Sequence, residues 1–171
     1  IVRKDGSIRC VHNQYSARRG QDASVSRYVL TTDITERRQA EEEHRRLIAI
    51  FDATKDFIST STPEATLTYI NLPGRRMVGW GEDEDIHTQL ISDLHPQWAR
   101  EIIINAGVPA AIRDRIWSGE TALLCRDGRE IPVSQVIMAH KDRNGALQFL
   151  STIMHDISAR KQAEQNLRNA N

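Results

Sequence analysis

The stretch Asp33–Glu41, DITERRQAE, returns 123 residues later as Asp156–Glu164, DISARKQAE, with six of nine residues identical. The likeness reaches upstream, where Lys4-Asp5-Gly6 lies over Arg126-Asp127-Gly128 at an offset of 122. A period this long is that of a whole domain rather than of a solenoid repeat. The chain is therefore expected to open within the last third of one domain and run through a complete second copy. The expected division is a hairpin over 1–35, a linker helix over 36–53, a complete domain over 54–158 and the start of a second linker helix over 159–171.

Each copy of the repeat reads as a hairpin. Asp-Gly is a turn signal, and the arms EIPVSQVIMAH and ALQFLSTIMHDI around KDRNG are rich in Val, Ile, Thr and Phe. Apolar residues fall on both alternating faces, so both faces of this sheet are expected to be covered at least in part. Asp-Ile-Thr or Asp-Ile-Ser follows, then a charged helix. Thr35 and Ser158 suit an N-cap, because a hydroxyl can accept an unpaired backbone N–H of the first turn. No Gly or Pro interrupts the first helix, and Ala40, His44, Leu47 and Phe51 are spaced 4, 3 and 4, a short heptad seam. Ala163, Leu167 and Ala170 continue it in the second copy.

Between the helix and the second Asp-Gly, DFISTS and TLTYIN read as strands joined at TPEA. LPGRRMVGW reads as a short helix stopped at Gly79, and HTQLISDL and QWAREIIINAG as helices ended at Gly107. PAAIRDRIWSGE reads as a helix ended at Gly119, and GETALLC as a strand. Two strands, several small helices and three strands make an α+β layout, an antiparallel five-stranded sheet with helices on one face.

These stretches resemble the PAS domain family with its C-terminal PAC motif. LTYINLPGRRMVGW, DLHPQW and IWSGETALLCRDGREIPV match the family's pattern in order and spacing, and DIT and DIS resemble its closing triplet. The likeness covers residues 46 to 160 as one domain and residues 1 to 35 as the tail of another. One departure is the first hairpin turn, where TPEATL lacks the glycine of the usual Asp-Gly.

Lys+Arg and Asp+Glu are both 23, which argues against a chain that grips nucleic acid or an acidic membrane surface. No run of ~20 apolar residues offers a membrane span. Cys10 and Cys125 stand alone without a CxxC, as free thiols do in a reducing compartment. No Cys lies near LISDLHPQW to form a flavin adduct, and QWAREIIINAG carries no axial His for haem, so both are disfavoured and the cofactor stays open. His95 reads as a helix-end residue, and Glu82–Asp85 as a solvated acidic loop rather than a cation site. No nucleophile–base set or phosphate loop is present. His44, in EEEHRRL, faces a Leu at the matching position of the second copy, against a phosphoacceptor role.

The candidate ligand contacts are Asn71, Trp80, Trp98, Arg115, Met138 and Met154, with helix capping the plainer reading of Asn71 and solvent that of Arg115. The candidate relay residues are Asp33, Thr35, Asp156 and Ser158. The resemblance implies a cytoplasmic sensory module without catalysis of its own, in a histidine kinase or cyclic-dinucleotide enzyme. Its partners would be a second copy bound through the linker helices, flanking PAS and output domains, and a small-molecule ligand. A ligand-free dimerisation or docking module is the alternative.

Overall fold

The computed structural model describes residues 1–2, 5–19 and 25–169. Ala170, the last residue of the expected second seam, and residues 20–24 lie outside them. The chain divides into two compact units, Ile1–Ala49 and Ile50–Asn171.

The first unit is a hairpin of β1 (Val11–Arg19) and β2 (Val25–Asp33), paired antiparallel with Val11 opposite Asp33 and Tyr15 opposite Val29. Its Asp-Gly turn has Gly6 at φ +82° and the Ser7 N–H on Asp5 Oδ1 at 2.9 Å. Apolar side chains are exposed on both faces: Tyr15 and Val29 on one, Tyr28 and Leu30 on the other. Helix α1 (Thr35–Ala53) starts in this unit, and its last turn belongs to the second. Ala40, His44, Leu47 and Phe51 are all exposed along it.

The second unit contains β3 (Phe57–Ser61), β4 (Leu67–Ile70), α2 (Leu72–Val78), a 3-10 turn at Ile91–Leu94, α3 (Gln97–Ile102), a π turn at Ile103–Gly107, α4 (Val108–Asp114), β5 (Ile116–Leu124), β6 (Glu130–Lys141), β7 (Leu147–Asp156) and α5 (Ser158–Asn169). The five strands form one antiparallel sheet in the order β4-β3-β7-β6-β5. Its inner face meets the helices through two apolar clusters. Phe57, Leu123, Val133 and Met154 pack with Val78, Ile86 and Leu94, while Ile137, Ala139 and Leu150 pack with Ile103 and Ala111. The other face is only half covered. Val136, Met138 and Ile153 are partly buried there, and His140 stacks on Phe149 with ring centroids 4.1 Å apart.

Two expectations about element ends are corrected. Gly107 does not stop a helix. Gln97–Asp114 runs on through the π turn, which carries the backbone past Pro109, a residue with no N–H for the regular ladder. Gly107 instead lets the helix pass close to the sheet, since a Cβ there would lie 3.2 Å from Ile137 Cδ1. Nor does a helix reach Gly119. It ends at Arg115, which takes the left-handed conformation at φ +72°, and IWSG is strand. Trp117 folds over Gly119, whose added Cβ would meet the indole at 2.6 Å. At the TPEATL turn, Ala65 adopts φ +70° in place of the absent glycine, and its N–H bonds the Thr62 carbonyl.

Candidate functional site

The sequence candidates do not gather round one pocket. Trp80 packs against the first cluster and Met154 lies inside it, fully buried. Trp98 is instead 48% exposed and donates its indole N–H to Glu130 at 3.0 Å. Arg115 is exposed at the end of α4, and Met138 projects from the sheet's outer face between inward-facing Ile137 and Ala139. Trp98 and Met138 are corrected as contacts of the interior, Met138 because strand alternation turns it to the outer face, and Arg115 takes the solvent position of its plainer reading.

The interior itself has a polar floor that the sequence reading missed. Thr121 Oγ1 donates to Gln135 Oε1 at 2.6 Å, and Gln135 Nε2 donates to Thr152 Oγ1 at 3.3 Å. Ser59 and Ser61 continue the floor, nearly inaccessible to solvent. The signal in the sequence is a polar residue at every inward step of β3 after Phe57, and Gln135 between Val133 and Ile137. The cavity bordered by Ser59, Ser61, Thr152, Ile91, Ile137 and Leu150 measures about 20 Å³. That is room for about one water molecule.

Asn71 uses every hydrogen-bonding position of its side chain. Its Oδ1 accepts the N–H groups of Gly74, at 3.1 Å, and Ile58, at 2.9 Å. Its Nδ2 donates to the carbonyls of Phe51 and Asp56, both at 2.9 Å. An amide side chain has two acceptor and two donor positions, so Asn71 has none left for a ligand. It caps α2, as the plainer reading held, and also ties α2 to β3 and to the last turn of α1. Gly74 permits this, because a Cβ there would lie 2.6 Å from the Asn71 oxygen. Beside it Asp52 Oδ1 accepts the Leu72 N–H at 2.9 Å.

His95 is buried, with Nδ1 2.7 Å from the Ala122 carbonyl, which fixes Nδ1 as the protonated nitrogen. Burial lowers its pKa to about 4, against the opposing effect of that carbonyl, so the ring is neutral near pH 7. In the acidic loop Glu82 pairs with Arg76 at 2.5 Å and Glu84 forms a bidentate pair with Arg126. Among the described residues no group of three or more His, Cys, Asp or Glu could hold a metal ion, and no helix is long and apolar enough to cross a membrane.

The two helix-starting joints share one backbone design. The Ile34 N–H donates to the Cys10 carbonyl at 2.9 Å, and the Ile157 N–H to the Pro132 carbonyl at 3.0 Å. Asp33 Oδ1 accepts the Thr35 N–H at 3.0 Å, and Asp156 Oδ1 the Ser158 N–H at 2.7 Å. The cap is therefore the aspartate. The expectation that the Thr35 and Ser158 hydroxyls do this is corrected, since each is the first helical residue and the isoleucine before it supplies the first helical carbonyl, to Arg38 and Lys161. The Thr35 hydroxyl instead donates to Asp33 at 2.6 Å and accepts the Cys10 N–H at 2.9 Å. Beyond the second joint, Arg160 and Lys161 of α5 both reach Glu120 of β5 at 2.5 Å.

No protein-family model matches the sequence, and no curated protein matches it. Solved structures do. A PAS domain from Colwellia psychrerythraea is similar at 20% identity, with a TM-score of 0.61 over 67% of this chain and 97% of that one. A sensory box histidine kinase/response regulator from Burkholderia thailandensis is similar at 17% identity, with a TM-score of 0.58 over 73% of this chain and 94% of that one. The N-terminal domain of a diguanylate cyclase with PAS/PAC sensor from Marinobacter aquaeolei is similar at 18% identity, with a TM-score of 0.54 over 62% of this chain and 98% of that one. The second unit has the PAS fold.

Proposed function

We propose that this chain is a sensory and relay module of a signal-transduction protein, a histidine kinase or a cyclic-dinucleotide enzyme, acting in the cytoplasm. The observation that carries the reading is the repeated joint: the same aspartate cap and the same isoleucine bond join a hairpin to a helix twice in one chain. The division into a hairpin, a linker helix, a complete domain and a second linker helix gives each joint its place. A change in the sheet moves the strand end, the capped joint moves with it, and the outgoing helix α5 shifts against its copy in a parallel dimer. Asp33, Thr35, Asp156 and Ser158 are the relay residues, the first three through their side chains and Ser158 through its backbone N–H.

A second reading, a ligand-free docking module, is favoured by one observation: the space of about 20 Å³ over the polar floor. A small molecule would have to displace Ile91 or Leu150 to enter.

Losing a cap costs on the order of 1 kcal/mol. That is small against the ~5–15 kcal/mol of a domain, but comparable to a switching bias of about 1–3 kcal/mol. In the intact protein that carries the module, Asp156→Ala is expected to lower the melting temperature slightly and to change output strongly. Output that stays fully responsive to stimulus while melting temperature falls would end the relay reading.

A further inference from the structure

His155 stands one residue before the outgoing joint, and its Nδ1 lies 2.7 Å from Asp56 Oδ1. Asp56 stands between the last turn of α1 and β3. The pair continues the register of the two strands, in which Phe57 faces Met154. The Asp56 carbonyl accepts one Asn71 Nδ2 hydrogen, and the Phe51 carbonyl, in the last turn of α1, accepts the other. We propose that Asn71, Asp56 and His155 form a strut that couples the last turn of α1 to the α5 joint along the edge of the domain, independently of any ligand over the polar floor.

The steps are contiguous. Asn71 is wholly buried and uses all four hydrogen-bonding positions, so Phe51, Asp56, Ile58 and Gly74 keep a fixed spacing around it. Displacing the α1 end therefore displaces Asp56. The Asp56 carboxylate carries the displacement to His155, and the next residue, Asp156, caps α5 through the Ser158 N–H. Because β3 and β7 are also joined by their ladder, the strut's share is the coupling that disappears when only the side-chain link is cut. The His155 side chain is largely exposed and Asp56 partly so, which sets that share at the modest size of a surface pair.

This inference rests on the relay reading for its use, but its test needs no output domain. In the 171-residue chain, amide hydrogen exchange is followed at Ile157 and Lys161, whose N–H groups bond Pro132 and Ile157. Asp52→Ala, which frees the Leu72 N–H at the α1 end, is expected to speed exchange at both amides about two- to fivefold, the range of one partly exposed pair. In a His155→Ala background the acceleration is lost. His155→Gln, which can still donate to Asp56, restores it. Ile50→Gly, at an exposed position of the same turns, is the second perturbation should Asp52→Ala unfold the chain. Equal acceleration with and without the His155 side chain, or none in either, overturns the strut. A coupled strut in a protein whose output ignores Asp156→Ala would overturn the relay reading and leave the strut standing.

Discussion

Thr35 Oγ1 accepts the Cys10 N–H at 2.9 Å, a bond that Ser158 cannot make because Pro132 stands where Cys10 stands in the first copy. The two joints are thus alike in backbone and unlike in side-chain reach. Thr35 is buried and Ser158 exposed. Thr35→Val is expected to leave the Cys10 N–H without its partner, at on the order of 1 kcal/mol. Ser158→Ala is expected to change little. Amide exchange at Cys10 and Arg38 in one variant, and at Ile157 and Lys161 in the other, makes the comparison; equal losses at both joints would refute the asymmetry.

Asn71→Ala leaves the Ile58 and Gly74 N–H groups without their side-chain acceptor in a buried place, while the Phe51 and Asp56 carbonyls keep only the Thr54 hydroxyl. At about 1–3 kcal/mol for each of these two unsatisfied N–H groups, the expected loss is at least ~2 kcal/mol, a large part of a domain's stability. Asn71→Asp keeps an acceptor for both N–H groups but removes both donors and buries a charge beside two carbonyls, so it is expected to restore only part of the loss. Urea denaturation followed by tryptophan fluorescence measures both; a loss under 1 kcal/mol for Asn71→Ala would show that the clamp is dispensable.

The buried His95 ring gives stability a direction in pH. Its folded-state pKa lies near 4, below the ordinary 6.5, so the unfolded chain takes up this proton more readily. Stability is expected to fall as pH drops from about 6.5 toward 4, by up to about 1.4 kcal/mol per pH unit. His95→Gln, able to donate to the Ala122 carbonyl without titrating, is expected to flatten that slope. An unchanged slope in the variant would assign the acid sensitivity to other groups.

Leu47, Ile50 and Phe51 leave apolar surface exposed along α1, next to His44 on the proposed seam. If α1 pairs with its copy, His44→Leu removes a polar group from the seam and is expected to tighten self-association. Sedimentation over a range of concentrations reads this out, and unchanged or weaker association would place the dimer contact elsewhere.

The period-2 alternation, the Asp-Gly turns and the long charged runs made the strands, the hairpins and the linker helix legible from the sequence, because each depends on residues within a few positions of one another. The repeat itself marks both joints and their aspartates. What the tertiary structure decided depends on residues far apart in the chain. Gly107 and Gly119 carry the signature of a helix stop, yet each makes room for another side chain, Ile137 across the core and Trp117 over its own strand. Trp98, Arg115 and Met138 have the composition of a pocket, but strand parity and a helix end turn them outward. Asn71 reads as a cap because it stands after a strand and before a helix; its bonds to Phe51, Asp56 and Ile58 exist only once α1, β3 and α2 have converged. The small volume over the polar floor likewise follows from how closely Ile91 and Leu150 approach Ser59 and Ser61, which local propensity does not encode.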